Sequence, residues 1–379
     1  MRRYLILAAS MGDGHQRVAE QLRRRLVARG DSAEVVDILS VLPFEIGPLL
    51  RSSYAAMLRY TPFVYEAIYR AFFVPRPGAM LRADPLVAAS SPAVRRLIED
   101  AHPDAVVSTF HLCAQIVGRL RRSGKVGVPS LVVVTDFVAH RMWLHPGNDA
   151  FICVHQVVAD DAARMTGRAS FAAAPAVPEE CLAEDALPRA IRRKELREEI
   201  GADPELPIAL VSAGAWGSGG MGGMVAAVRA IASPRYTTLV LCGRNERLRR
   251  VLGDARPGVV AMGWRDDMPR LMRGSDVLVE NAAGQTAMEA FAIGLPVVSY
   301  RPLPGHGRAG VSRMAELGLT SLADDARPGA RVTALVEELA RAGSTRAATQ
   351  VARAQALFTA DPAAFLGLAV APAQAGPRR

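Results

Sequence analysis

The chain has 379 residues, half of them hydrophobic, and a formal net charge of +9. Two domains are expected, because that length exceeds what one hydrophobic core accommodates, and no uncharged apolar run reaches the ~18 residues of a membrane-spanning helix. The arginine pairs and triplets at Arg2-Arg3, Arg23 to Arg25, Arg95-Arg96, Arg121-Arg122 and Arg192 to Lys194 come without a helix-turn-helix, zinc-finger or RNP pattern, which argues against nucleic acid. An anionic membrane surface suits the charge better, beside the plainer reading that arginine decorates solvated helix faces.

Basic residues precede an apolar run at the N-terminus, but the run is too short for a secretory leader, so Tyr4 to Ala9 reads as a first strand. Gln16 to Arg29 follows as an amphipathic helix stopped by Gly30, and Ala33 to Ile38 as the next strand. From Leu42 to Leu81 the alternation pauses. Aromatics including Phe63, Tyr65, Phe72 and Phe73 alternate there with Arg51, Arg59, Arg70 and Arg76, and five prolines predict short helices or loops. Such a mixture suits the water–lipid interface; a helical insertion packing its aromatics on the sheet is the competing reading. Alternation resumes with helices at Pro92 to Ala101, Leu112 to Arg122 and Val157 to Met165, and strands at Ala105 to Thr109, Ser130 to Thr135 and Ala150 to Val154.

These elements place an N-terminal domain at 1–174 and a proline-containing linker at 175–188. A second domain over 189–345 opens with the charged helix Arg189 to Ile200 and the strand Ile208 to Ser212. A helical tail, 346–379, follows, with its last residues from Ala371 frayed. Cys113, Cys153, Cys181 and Cys242 lack ligand spacing and read as reduced core thiols.

Chemistry gathers where strands end. Gly12-Asp13-Gly14-His15 follows the first strand and opens a helix, so its glycines let a ligand approach the backbone, and His15 is a candidate base. Asp136 ends an apolar strand, with His140 and Trp143 close behind it. A glycine-rich loop, Gly214 to Gly223, follows the first strand of the second domain and can wrap a diphosphate. Val277 to Glu280 is a strand, Gly284 breaks it, and Gln285 to Ile293 is a helix stopped by Gly294 and Pro296. Gly284, Gln285 and Thr286 therefore sit at a helix N-terminus that favours phosphate, and Glu289, one turn on, is suited to ribose hydroxyls.

The order Gly12 to His15, Val134-Thr135-Asp136 with His140 and Trp143, Gly263 to Met268, Gly284 to Glu289 and Arg301 to Gly305 resembles the GT-B glycosyltransferases of the monogalactosyldiacylglycerol synthase and processive diacylglycerol glucosyltransferase type, relatives of the peptidoglycan UDP-GlcNAc transferase. The resemblance implies an α/β GT-B fold of two Rossmann-like domains facing a cleft. It also implies an inverting hexosyltransferase taking a UDP-sugar to a lipid hydroxyl, diacylglycerol first, from the cytoplasmic face of a membrane. His15 and Asp136 would be catalytic, with either of them the base. Gly12, Gly14, His140 and Trp143 would shape the acceptor side. Gly214, Gly263, Trp264, Arg265, Met268, Gly284, Gln285, Thr286, Glu289 and His306 would bind the nucleotide-sugar. No Asp-x-Asp pair ends a strand, so no metal or other cofactor is expected, and Arg301 or Arg308 would help meet the diphosphate charge. Where relatives carry Gln-Glu or Gln-Gln, this chain has His306 and Arg308, which leaves the sugar open. A GT-B enzyme with a soluble acceptor, a UDP-sugar epimerase, and a non-catalytic nucleotide-sugar or lipid binder are the alternatives.

Overall fold

The computed structural model describes residues 1–12, 14–74, 84–212, 220–253, 258–323 and 329–369. It divides into two compact units. One comprises Met1–Ser52, Ile68–Ala176 and the described residues from Leu357 onward; the other comprises Ser53–Ala67 and Val177–Ala356.

The first unit is built on β1 (Arg3–Ala8), β2 (Ser32–Asp37), β3 (Ala105–Ser108), β4 (Ser130–Val134), β5 (Ala150–Cys153) and β6 (Ala169–Ala172), all parallel in the order β2-β1-β3-β4-β5-β6. Every residue of β3, β4 and β5 is buried, which is why they read as continuous apolar runs. Residues of β1 alternate between two cores. Tyr4, Ile6 and Ala8 pack with Val18, Leu22 and Leu26 of the helix Gly14–Ala28, whereas Leu5 and Leu7 pack with Val94, Ile98, Ile116 and Val117. Strand order reverses between β1 and β3, so the loops after those two strands flank the crevice where open α/β sheets bind ligands.

The second unit holds β7 (Ile208–Ser212), β8 (Thr237–Leu241), β9 (Val259–Met262), β10 (Val277–Glu280), β11 (Val297–Tyr300) and β12 (Ser321–Ala323). They are parallel in the order β12-β11-β10-β7-β8-β9, so the reversal falls between β7 and β10. Val211, Val240, Val279 and Val298 meet Met224, Val228, Leu335 and Val336 of two covering helices in one core. The two Rossmann-like sheets expected from the sequence are therefore present.

Several elements differ from expectation. The helix anticipated at Pro92 starts at Asp84 and carries Pro92 inside it. Beside the proline, the buried hydroxyls of Ser90 and Ser91 donate to Leu86 O at 2.8 Å and Val87 O at 2.6 Å. The proline-cut aromatic segment forms two helices, Ile46–Tyr60 and Pro62–Phe72. Leu58, Tyr65 and Tyr69 are buried, as a packed helical insertion requires, while Tyr60 and Phe63 stay 68% and 72% exposed. Phe72 and Phe73, expected at a lipid surface, are half-buried, and Phe73 lies against Tyr69 with ring centroids 5.2 Å apart. Arg76 and Leu81 lie outside the described residues.

The stretch anticipated as a linker contains the short helix Glu179–Leu182, with Val177 and Cys181 buried. Three helices close the described chain, Ala330–Ala340, Thr345–Gln355 and Pro362–Ala369, the last two in the expected helical tail. Gly343, at φ 74°, separates the first two. The last belongs to the first unit, where Leu366 joins the core beneath Leu22 and Leu26 and nearby Asp361 pairs with Arg25 at 3.2 Å. The strands β6 and β12 and the helix His306–Glu316 were not anticipated. All four cysteines are buried, and none forms a disulfide.

Gly294 ends the helix Gln285–Ile293 in the left-handed region, φ 80°, and a Cβ there would lie 2.9 Å from Gln355 Nε2. Gly294→Ala should therefore lower stability by about 1–2 kcal/mol, the usual cost of that conformation for an L-residue. Urea unfolding checks this, and an unchanged midpoint would show that the helix end relaxes without strain.

Candidate functional sites

At the first crevice, β1 leads through Gly12 into the helix that carries His15, and β3 leads through Thr109 and Phe110 into the helix His111–Arg122. His15 Nδ1 lies 2.9 Å from Thr109 O. A carbonyl only accepts, so Nδ1 carries the proton and Nε2 keeps its lone pair. Burial pushes the imidazole pKa below its usual value, opposed by the charge of Asp136 and by the Thr109 hydrogen bond. Gly14 has neither a positive φ nor any atom within 4 Å of an added Cβ, so packing alone does not demand a glycine there.

Asp136 follows β4 and is a quarter exposed. Trp143 Nε1 donates to its Oδ2 at 2.8 Å, and His140 Nε2 lies 3.2 Å from the same oxygen. The Thr109 carbonyl thus occupies Nδ1 of His15, and Asp136 acts on the ring through its charge. Aromatic rings enclose the group. Phe110 lies edge-on to His15 at 5.1 Å, Phe73 edge-on to His140 at 4.9 Å, and His111 stands 5.7 Å from His140 and 6.0 Å from Trp143. His15, Asp136, His140 and Trp143 are thus brought together as the sequence predicts, and Thr109, His111 and Phe73 join them unforeseen.

At the second crevice, the organising residue is Glu280, the buried last residue of β10. Its Oε2 accepts the backbone N–H groups of Ala282 and Ala283 at 2.7 and 2.8 Å, and its Oε1 accepts the Ser299 hydroxyl at 2.5 Å. Burial raises the carboxyl pKa, and these three hydrogen bonds oppose the rise. They also hold Ala283 at φ 52°, a left-handed conformation that costs about 1–2 kcal/mol outside glycine. The turn so fixed presents exposed Gly284 as the N-cap of the helix Gln285–Ile293, with no side-chain cap over the first turn. A Cβ on Gly284 would meet only Ala282 Cβ, at 3.9 Å.

A family model for monogalactosyldiacylglycerol (MGDG) synthase matches residues 15–170, and one for glycosyl transferases group 1 matches residues 209–337. The processive diacylglycerol beta-glucosyltransferase of Bacillus subtilis (strain 168) is 24% identical over 328 residues, covering 84% of this chain and 82% of that protein. A protein of the same description from Staphylococcus epidermidis is 23% identical over 335 residues, covering 85% and 81%. Among solved structures, Acinetobacter baumannii MurG aligns with a TM-score of 0.57 at 16% identity, over 97% of this chain and 98% of that one. CalG4, the calicheamicin glycosyltransferase, aligns with a TM-score of 0.61 at 17% identity, over 98% and 100%. The chain is a glycosyltransferase of the GT-B fold.

Other expected donor residues of this GT-B chain are dispersed. Thr286 lies half-buried in the first helical turn after Gly284, as does Gln285, while Glu289 is 1% exposed, inside the unit rather than at its rim. Gly263, Trp264, Arg265 and Met268 follow β9, separated from the Gly284 turn by β7 and β8. There Trp264 Nε1 donates to Asp266 at 2.7 Å and Arg244 lies 4.2 Å over the indole. The Arg265 guanidinium pairs with Asp267 and Glu199. His306 Nδ1 is 2.6 Å from the Tyr65 hydroxyl, and Gly305 N–H donates to Glu66 at 2.7 Å. Gly214 lies outside the described residues.

Glu280, Ser299, Tyr65 and Glu66 were missed. A signal for the first two was present: each is a polar residue closing an otherwise apolar strand, Val277-Leu-Val-Glu280 and Val297-Val-Ser299.

Glu280→Leu strands two buried N–H groups and a hydroxyl, so it should destabilise by about 2–4 kcal/mol, whereas Glu280→Gln, which can still accept, should cost less. Denaturant unfolding of both variants checks this. Equal losses would show that shape rather than hydrogen bonding matters at this position.

Proposed function

We propose that this enzyme moves a hexose from a UDP-sugar to the hydroxyl of a diacylglycerol-type lipid, with inversion and without a metal. The observation that carries the reading is His15, locked by Thr109 in the tautomer with a basic Nε2 and set beside the charge of Asp136. An acceptor hydroxyl titrates far above neutral pH and attacks poorly unaided. His15 Nε2 takes its proton as the oxygen bonds the anomeric carbon opposite the leaving UDP, and the Asp136 carboxylate stabilises the imidazolium that forms. The lipid acceptor rests on the MGDG synthase match over residues 15–170 and on the diacylglycerol glucosyltransferase relatives.

On the donor side, the uncapped helix after Gly284 offers N–H groups and its dipole to the diphosphate. Exposed Arg301 and Arg308 supply mobile positive charge. Glu289 is assigned to the ribose, where its burial would strengthen a charged hydrogen bond. The backbone at Arg265, with Met268 beside it, is assigned to the base. UDP-glucose occupies one solved neighbour, Medicago truncatula UGT71G1, at a TM-score of 0.61 and 11% identity over 94% of this chain and 93% of that one.

Among the described residues no helix is long and apolar enough to cross a membrane. Access to a lipid acceptor is assigned to peripheral binding at an anionic inner membrane face, with exposed Tyr60 and Phe63 entering the interface and Arg59 lying 5.2 Å from the Tyr60 ring. A panel of UDP-sugars against diacylglycerol micelles, read by mass spectrometry, tests the reaction. Transfer to soluble alcohols but to no lipid would replace the lipid acceptor with a soluble one.

His15→Ala should lower kcat by about 10²–10⁴-fold and leave UDP affinity, read by calorimetry, nearly unchanged. Because the base works unprotonated, kcat/KM should fall as pH drops through the His15 pKa, which burial places below the usual imidazole value. Asp136→Asn removes a charge that raises that pKa, so its acid limb should move to still lower pH. A His15→Ala enzyme with wild-type turnover would transfer the base role to Asp136.

Tyr60→Ser with Phe63→Ser should weaken binding to anionic vesicles roughly tenfold or more, from the loss of two buried rings. Wild-type binding should also fall with added salt. Sedimentation with anionic and neutral vesicles reads both effects, and equal partitioning of wild type and variant would remove this surface from the membrane contact.

A further inference from the structure

Asp136 receives two N–H donors on one oxygen, and both come from the turn that follows it. Four features make that turn rigid. Trp143 is fully buried, His140 is 3% exposed, and the chain folds back through Trp143 N–H to His140 O at 2.9 Å. From the neighbouring helix, the Gln115 amide donates to Met142 O at 2.8 Å and Arg141 O at 3.3 Å, closing the turn from outside. His140 has one further property: its Nδ1 is buried without a hydrogen-bond partner among the described residues. A proton there would be an orphaned donor among the rings of Phe73 and Tyr69, which is costlier than an orphaned lone pair facing ring edges. Nε2 therefore carries a proton, aimed at Asp136.

We infer that His140 and Trp143 are positioning residues for Asp136, two fixed N–H donors that set the carboxylate in one orientation and favour its ionised form. Neither touches the reacting atoms in this scheme; both act through the carboxylate. Two donors on Oδ2 also remove the rotational freedom of an exposed carboxylate, so its charge reaches His15 from a constant direction. The other titratable groups around the cluster are His15 on the helix Gly14–Ala28, His111 on His111–Arg122 and Tyr69 on Pro62–Phe72. In its kinetic consequence the inference rests on the proposed transfer reaction; in its electrostatic one it does not.

The test uses the full chain labelled with fluorotryptophan and followed by ¹⁹F NMR against pH, the Trp143 signal being assigned by its loss in Trp143→Phe. Protonation of Asp136 weakens the indole hydrogen bond and moves that signal. In His140→Leu the midpoint should rise by about one to two pH units, since a charged hydrogen bond is lost, and His140→Gln, which keeps an N–H donor, should restore it towards wild type. Should the leucine variant fail to fold, His140→Asn, whose amide is too short to reach, should give the same upward shift. For the transfer reaction, the His140 variants should lower kcat with little change in KM for the donor. An unmoved midpoint in a folded Leu or Asn variant, or a Gln variant displaced as far as Leu, would overturn the inference. Absence of any sugar transfer by the wild type would overturn the proposed reaction instead, while the NMR titration still reads the His140 to Asp136 contact.

Discussion

A parallel sheet covered on both faces has no wet surface on which to keep a carboxylate, so polar groups survive only where its strands end. Glu280 shows what that constraint produces. Buried at the end of β10, it is tolerable only with its oxygens occupied, and the available partners are the amides of the turn that follows and the hydroxyl of Ser299 on the next strand. Satisfying the carboxylate bends the chain into a left-handed alanine and delivers Gly284 to the start of a helix. The desolvation of one side chain thus builds the geometry in which helix N–H groups face outward. A more comfortable β10 terminus, with leucine for Glu280, would leave the turn without its internal clamp.

The first unit solves the same problem with opposite signs. There the strand-end groups are an imidazole and a carboxylate, and they are separated rather than paired directly. Thr109 O takes one face of His15, while His140 and Trp143 take one oxygen of Asp136. A direct His15 Nδ1–Asp136 bond would raise the basicity of the ring more strongly and favour its protonated form near neutral pH. A neutral carbonyl fixes the tautomer without that effect, and burial then holds the imidazole in its basic form.

Much of this was legible because it follows from period and punctuation. The apolar runs of β3, β4, β5 and β10, the stop at Gly294 and the glycines before His15 and Gln285 are local signals, and each places a strand end or a helix start. What escaped depends on partners far away in the chain. Pro92 reads as a helix start, and only the serine hydroxyls and the packing of Val94 and Ile98 keep it inside a longer helix. Tyr65 and Glu66 meet His306 and Gly305 across some 240 residues, which no spacing rule reaches. The aromatic segment divides for the same reason: Tyr65 and Tyr69 have cores to enter, and Phe63 on the same helix has none.

His306 shows how such a long-range partner changes the meaning of a residue. From sequence it stands where side chains meeting sugar hydroxyls are expected, with both ring nitrogens able to serve a ligand. In the structure Nδ1 is engaged by a phenol, and the backbone just before it is held by Glu66 at a glycine with φ 69°. One nitrogen is therefore committed to the protein, and the ring plane is set by Tyr65, whose own ring stands at 88° to it. The ring therefore meets any neighbour in the one orientation that Tyr65 sets. A directed group of that kind discriminates among hydroxyl configurations more sharply than a mobile amide, because it cannot rotate to follow an epimer.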